Sequence, residues 1–237
     1  SLSSADWAEL LVGVQALLTT WGSPRLDEVV LSKNDTLQIV GHVGGSLAGI
    51  VSPALYERGI RVCTANRLMA RTVAEWSLMM TLVGLRQVIG YGQFGAGGTA
   101  LNWAERTHNL VPTDAVVGIW GYGDVARWFI ELLGPLQPRE IIVHDEFLSV
   151  EEAADKGIRK VEFEELFKRA DGVHCLTSLT AANKGQIGAE QLAAVRDGAV
   201  LVNCGRAALI QEEALIDALR KNRFTAIMDV FDAEPLA

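Results

Sequence analysis

Two rhythms of apolar and polar residues run along this chain. Short apolar runs recur at 14–18, 37–41, 60–63, 116–120, 141–144, 173–176, 200–203 and 225–228. Runs of this length read as strands buried on both faces of a parallel sheet. Between them, apolar residues three and four apart predict helices at 26–31, 53–57, 162–169, 190–196 and 211–221, with Gly59 and Gly198 as stops. Ser3 and Asp6 stand at capping-box spacing ahead of Trp7, Leu10 and Leu11, so the chain opens on a helix. Strands joined by single helices imply a small parallel sheet in the first part of the chain and a doubly wound α/β sheet in the second, with right-handed crossovers.

A longer helix, predicted over 72–88, carries Val73, Trp76, Leu78, Met79, Met80, Leu82, Val83 and Leu85 and is apolar nearly all round. Such a helix is expected to be buried, against the sheet or against a second subunit. The glycine-rich 90–98 and the polar stretch to 112 read as a loop or arm that contacts a partner subunit.

The apolar run 116–120 passes into Gly121-Tyr122-Gly123-Asp124-Val125-Ala126 and then into a helix with Val125, Trp128, Phe129, Leu132 and Leu136 on one face. A strand, a glycine turn and a helix in this order make an anion site, because the free N–H groups of the first helical turn point at whatever occupies the turn. Gly121 permits the tight turn, Gly123 lets a pyrophosphate approach the backbone, and Ala126 allows close packing, the dinucleotide fingerprint in its alanine-ended form. Taken alone, a glycine turn serving packing fits as well. Asp145, however, closes the next strand 22 residues after Gly123, where the fingerprint has its acid. A carboxylate there accepts from adenosine ribose hydroxyls and, with Glu146, repels a 2′-phosphate, which predicts NAD over NADP.

Every strand of the second part ends in residues unlike its apolar body: Gly121, Asp145, Thr177 with Ser178, Asn203 with Arg206, and Asp229. Ligands of open parallel sheets bind outside the carboxyl ends of the strands, so these tips converge on one crevice. An arginine such as Arg206 can grip a carboxylate with two parallel bonds. By residue type alone, a surface salt bridge for Arg206 and a solvated turn at 232–235 remain open. Another glycine turn, His42-Val43-Gly44-Gly45-Ser46-Leu47, follows the strand at 37–41.

Composition narrows the class. With 237 residues and 49% hydrophobic content the chain can bury a sizeable core, and its net charge of −8, with both signs interspersed, argues against a nucleic-acid or anionic-membrane surface. It leaves room for an anionic ligand in a local pocket. Cys63, Cys175 and Cys204 are odd in number and unclustered, which suggests a reducing compartment and neither disulfide nor zinc. The most apolar long segment, 73–89, is interrupted by Glu75, Arg86 and Gln87 and is too short to span a bilayer, so the expectation is a soluble cytoplasmic protein.

Four stretches carry a family resemblance: Arg71-Thr72-Val73-Ala74-Glu75, the glycine fingerprint, Leu201-Val202-Asn203-Cys204-Gly205-Arg206, and Met228-Asp229-Val230-Phe231-Asp232-Ala233-Glu234-Pro235. Over nearly all its length the chain resembles the D-isomer-specific 2-hydroxyacid dehydrogenases, which include D-lactate, glycerate and phosphoglycerate dehydrogenases. The resemblance implies a Rossmann NAD-binding unit inserted into a flavodoxin-like substrate unit, with the active site in the cleft between them. Here that gives an incomplete substrate domain at 1–66, an NAD-binding domain at 67–237, and a homodimer. The implied reaction is hydride transfer between nicotinamide C4 and C2 of a 2-keto or 2-hydroxy acid.

By the same resemblance, Arg206 binds the substrate's carboxylate and carbonyl, Glu234 hydrogen-bonds the catalytic histidine, and Asp229 lies near the nicotinamide. Gly44, Gly45, Ser46 and Leu47 match a loop whose amides hold the substrate carboxylate, an arrangement also allowed as an anion nest. Tyr122, Asp124, Val125, Thr177, Cys204 and Gly205 join Gly121, Gly123 and Asp145 as cofactor-binding candidates. The scaffold also resembles the C-terminal-binding transcriptional corepressors, which gives an alternative reading as an NAD-sensing dimeric binding protein.

The family's histidine follows the Glu-Pro pair, and this sequence stops at Ala237. His42, at a strand tip, is a minor candidate for a substrate contact. His108 lies in the polar arm, and His144 and His174 read as core residues. Both ends of the sequence read as cut. Ala207 and Ala208 stand where the family usually has glycines, and Leu176 and Ser178 replace a frequent histidine and proline.

Overall fold

The computed structural model describes residues 2–89 and 109–232. The glycine-rich arm, His108 and Glu234 lie outside the described residues. The chain divides into two compact units, Ser1–Ala70 and Arg71–Ala237.

In the first unit, helix α1 (Ser4–Leu10) opens on the expected capping box: Asp6 N donates to Ser3 Oγ at 3.2 Å, and Ser3 N donates to Asp6 Oδ2 at 2.8 Å. The Ser3 hydroxyl also donates to Asp6 Oδ2 at 2.7 Å, and this bond, with that from Ser3 N, favours the ionised carboxyl and lowers the Asp6 pKa. Strands β1 (Ala16–Thr19), β2 (Ile39–His42) and β3 (Arg61–Thr64) form a parallel sheet in that order. Helix α2 (Pro53–Glu57) connects the last two, with Pro53 in its first turn, where a missing N–H costs nothing. Leu26, Leu31, Val40, Leu55 and Ile60 make the core.

The helix expected at 26–31 is absent; that segment is a series of turns. Asp27 caps a single helical turn, its Oδ1 accepting the amides of Val29 and Val30, each at 3.0 Å, and Leu31 N reaching its carbonyl at 3.0 Å; the turn does not continue, because Ser32 N bonds back to Val29 O at 3.2 Å and Asn34 N to Leu31 O at 3.1 Å. Strands β1 and β2 also sit one to two residues later than the apolar runs suggested.

Helix α3 (Asn66–Leu85) starts six residues before the expected position. Its end is marked by Gln87, which adopts a left-handed φ of 52°. Within this chain the fully buried stripe includes Ala74, Ser77, Thr81, Gly84 and Leu85, while Leu78, Met79, Leu82, Val83 and Val88 form an apolar groove on its surface, the face that the expectation leaves to a second subunit. Small residues on the buried stripe let the helix lie close to the sheet. A Cβ on Gly84 would stand 2.7 Å from Val200 Cβ.

The second unit holds a six-stranded sheet. Its strands are β4 (Val116–Trp120), β5 (Glu140–His144), β6 (Arg159–Lys160), β7 (Gly172–Cys175), β8 (Val200–Asn203) and β9 (Thr225–Met228). All pair in parallel in the order β6-β5-β4-β7-β8-β9. The order reverses between β4 and β7, the switch point outside which ligands of doubly wound sheets bind. Helices α4 (Asp124–Leu133), α5 (Val150–Asp155), α6 (Phe163–Arg169), α7 (Ala189–Ala194) and α8 (Glu212–Leu219) connect the strands. Of these, α5 and the two-residue β6 lack a clear apolar period in the sequence. Helix α4 buries Ala126, Phe129 and Leu133 and ends before Leu136, which lies in a following 3₁₀ turn.

Two buried polar groups brace this sheet. Asp171, 6% exposed at its side chain, accepts Val116 N at 2.8 Å and pairs with Arg196 at 3.1 Å and Arg139 at 3.7 Å, which ties the amino ends of β4 and β7. His174 on β7 is fully buried between Ser77 Oγ (2.8 Å to Nδ1) and Thr81 Oγ1 (3.1 Å to Nε2) of α3. Thr81 donates its own proton to the Ser77 carbonyl at 2.8 Å and can therefore only accept from Nε2–H. Nδ1 must then accept from Ser77, and the network specifies one neutral tautomer. Burial lowers the His174 pKa to about 3.

Candidate functional site

The glycine turn after β4 has little freedom. Gly121 adopts φ 98°, in the region glycine favours, and a Cβ there would lie 2.8 Å from Thr177 backbone atoms. Its amide donates to the His144 carbonyl at 2.8 Å, and the next amide, Tyr122 N, donates to Asp145 Oδ2 at 2.8 Å. Asp145 Oδ1 accepts the amides of Phe147 at 2.8 Å and Leu148 at 3.0 Å. The acid at the tip of β5 therefore shapes both the glycine turn and its own loop. A carboxylate offers about four lone-pair sites, so three amides leave room for one further donor.

Gly123 is the N-cap of α4 and makes no side-chain cap, and the first backbone bond of the helix is Arg127 N to Gly123 O at 3.0 Å. The amides of Gly123, Asp124 and Val125 have no acceptor among the described residues. A Cβ on Gly123 would meet nothing within 4 Å, so open space lies beside this residue at the start of the helix. Free N–H groups at the positive end of a helix, beside open space, fit a diphosphate. Asp124 places an exposed carboxylate at the first helical position. Arg127 stacks over the Tyr122 ring at 4.3 Å, which fixes the outer side of the turn.

Beside the turn lies a cavity of about 200 Å³ whose lining includes Gly121, Asp145, Glu146, Thr177, Asn183 and Gln186. Asn183 and Gln186 were not singled out from sequence. The signal was the polar stretch after β7, where Asn183 Oδ1 accepts Thr180 N at 2.7 Å and Asn183 Nδ2 donates to Ser178 O at 2.8 Å.

At the tip of β8, the buried Asn203 builds the next turn: its Oδ1 accepts Gly205 N at 3.0 Å and its Nδ2 donates to Arg206 O at 3.0 Å. Gly205 has no room for a side chain, since a Cβ would lie 2.8 Å from the Thr177 carbonyl oxygen. Arg206 is exposed, and Nη1 donates to the Gly205 carbonyl at 2.6 Å. No carboxylate among the described residues pairs with it, so the salt bridge that residue type left open is absent there. Asp229, exposed after β9, donates its amide to Asn203 O at 3.0 Å. The tips of β4, β5, β7, β8 and β9 thus carry Gly121, Asp145, Thr177, Arg206 and Asp229 along one edge of one sheet.

Cys204 is half-buried beside Ser77, and burial pushes its thiol up to about 12, so it is a neutral packing group at ordinary pH. No group of three His, Cys, Asp or Glu side chains among the described residues could hold a metal ion. Likewise, no described helix is long and apolar enough to cross a membrane.

In the first unit, residues 44–47 form a loop after β2. None of their four consecutive amides has an acceptor among the described residues. Ser46 Oγ accepts Ala48 N at 3.3 Å, and the Leu47 carbonyl accepts Ile50 N at 2.9 Å and Val51 N at 3.0 Å, which holds the loop from behind. These amides are open to an anion or to water.

Comparison with known proteins identifies the family. A family model described as D-isomer specific 2-hydroxyacid dehydrogenase, NAD binding domain, matches residues 78–237. The chain is 30% identical over 237 residues to a D-3-phosphoglycerate dehydrogenase of Methanocaldococcus jannaschii, covering 99% of this chain and 44% of that protein. It is 31% identical over 219 residues to glyoxylate reductase 1 of Saccharomyces cerevisiae, covering 88% and 61% respectively. It therefore spans about half the length of these curated relatives. Among solved structures, the TT0316 protein of Thermus thermophilus matches with a TM-score of 0.83 at 26% identity, covering 100% of this chain and 74% of that one.

Proposed function

This chain belongs to the D-isomer specific 2-hydroxyacid dehydrogenase family, and on that premise we propose that it belongs to an enzyme interconverting a 2-keto acid and a D-2-hydroxy acid with NAD(H). The observation that carries the reading is Arg206: an exposed guanidinium without a carboxylate partner among the described residues, on the sheet edge that also holds the glycine turn.

NAD, when bound, supplies the hydride acceptor or donor at nicotinamide C4. The amides of Gly123, Asp124 and Val125 hold its diphosphate, and the remaining lone pair of Asp145 takes an adenosine ribose hydroxyl. Gly121, Tyr122 and Gly205 give the crevice its shape through backbone turns, while Thr177, Cys204 and Asp229 line it. Arg206 fixes the keto acid with its planar fork and stabilises negative charge developing on the carbonyl oxygen. The loop Gly44, Gly45, Ser46 and Leu47 receives the substrate carboxylate, with 1–66 as substrate domain and 67–237 as cofactor domain. Glu234 is assigned the hydrogen bond to the catalytic histidine of the whole enzyme. The apolar groove of α3 at Leu78, Met79, Leu82 and Val83 supports a homodimer, and the cytoplasm is the proposed compartment.

The test is NADH oxidation, followed by absorbance, with a panel of 2-keto acids including glyoxylate and pyruvate. The expected result is turnover with at least one acid, and a loss of about 100-fold or more in kcat/KM for Arg206→Gln with NADH affinity retained. No turnover across the panel, with NADH shown to bind, overturns the reading.

A further inference from the structure

We propose that His42 is a substrate-binding residue whose Nε2–H donates to the carboxylate of the 2-keto acid held on the amides of residues 44–47. This rests on the reading of that loop given above and adds to it the one side chain that completes the anion site.

His42 ends β2 and is only 4% exposed. Its Nδ1 lies 2.9 Å from Thr19 Oγ1, on the residue that faces it in register on β1. Nε2 has no partner among the described residues. Buried polar atoms are nearly always hydrogen-bonded, so a buried imidazole with one nitrogen satisfied and the other not is an unfilled position. In the tautomer where the Thr19 hydroxyl donates to Nδ1, Nε2 carries the ring hydrogen and is a donor.

The neighbour of that nitrogen is the loop itself. A Cβ built on Gly44 would overlap His42 Nε2 and come within 2.9 Å of Cδ2 and 3.0 Å of Cε1. The ring edge therefore lies directly against the first residue of the loop, and only glycine allows the two to meet. Two sets of donors without partners among the described residues, the four loop amides and this imidazole nitrogen, lie within six residues at one strand tip of the first unit. A carboxylate has about four acceptor sites, so one such anion can take the imidazole N–H together with up to three of the loop amides. Neighbouring groups do not compete for the ring: Thr20 Oγ1 bonds the Val43 carbonyl at 3.2 Å, and the His42 carbonyl takes Ala65 N at 3.0 Å.

The experiment uses the full-length protein saturated with NADH and oxamate, the inert analogue of a 2-keto acid, as probe, alongside steady-state kinetics with the best keto acid. Phe at position 42 keeps the ring's bulk and removes the donor; Gln keeps a donor near Nε2. The expected result is that His42→Phe raises the oxamate Kd and the keto-acid KM about tenfold, with kcat and NADH affinity within about threefold, and that His42→Gln recovers most of the loss. Unchanged oxamate Kd and KM in a folded His42→Phe overturn the proposal. Should that variant not fold, imidazole ¹⁵N spectra of the wild type decide: oxamate must shift His42 Nε2, and no shift overturns the proposal. Wild type that binds NADH but neither oxamate nor any keto acid removes the reading of the loop as well. Wild type that binds oxamate, with Gly44→Ala abolishing that binding and His42→Phe preserving it, removes the His42 assignment alone.

Discussion

Asp145 Oδ2 receives the backbone N–H of Tyr122 at 2.8 Å, so the acid that closes β5 also sets the shape of the turn that opens α4. Since Oδ1 is taken by Phe147 N and Leu148 N, the residue is a template for two loops before it is a ligand to anything. Asp145→Ala is therefore expected to act twice: NADH Kd rises about 10- to 100-fold and the melting temperature falls by several degrees. Fluorescence titration and thermal unfolding of the same sample check both. In Asp145→Asn, where the charge goes and the size stays, the preference for NADH over NADPH narrows.

Asp124 stands at the first position of α4, beside amides that the reading gives to a diphosphate. Its charge favours the helix dipole but opposes an anion bound there. Asp124→Asn should bind NADH about three- to tenfold more tightly at low salt, and the gain should shrink as salt is added. Equal affinities at both salt concentrations would place the diphosphate elsewhere.

His174 makes stability depend on pH. Its pKa is lowered to about 3 in the folded chain, while the unfolded chain titrates near 6.5. Between these values the unfolded state binds a proton that the folded state refuses, so stability falls as pH drops below about 6.5, by up to about 1.4 kcal/mol per unit. Above 6.5 both states are neutral and the effect vanishes. Urea unfolding at pH 7.5 and 5.0 should show wild type losing about 2 kcal/mol more than His174→Gln over that interval. Parallel losses would contradict the buried neutral ring.

Asp171 carries no part of the proposed chemistry, and its loss should be felt in stability alone. Asp171→Ala leaves Val116 N unpaired and two half-exposed guanidinium groups without their shared acid, an expected cost of about 1–3 kcal/mol measured by urea unfolding. At low denaturant NADH affinity should match wild type.

Local pattern made much of this molecule legible before its structure. Strands β8 and β9 lie at the positions their apolar runs gave, and Gly121, Asp145, Arg206 and Asp229 fall at strand tips because a parallel sheet puts every carboxyl end on one edge. At 26–31 the pattern misled, because the turn that Asp27 caps gives way to i→i−3 bonds at Ser32 and Asn34 before a helix can extend. The start of α3 was missed because Leu68, 82% exposed, adds nothing to an apolar stripe, although Arg67, Leu68, Met69 and Ala70 all favour helix. Illegible too were pairings between distant residues. Ser77 and His174 meet across 97 residues, and Val116 and Asp171 across 55, and no spacing rule reaches so far.

The central claim is that a dinucleotide diphosphate rests on the amides that open α4. Backbone ¹⁵N–¹H spectra recorded during an NADH titration test it most directly. The account predicts that the largest shifts fall on residues 121–126 and on Asp145, and that Gly123→Val, which fills the open space beside that residue, abolishes them. Shifts that cluster elsewhere in the chain, or an unaltered titration in Gly123→Val, would contradict it.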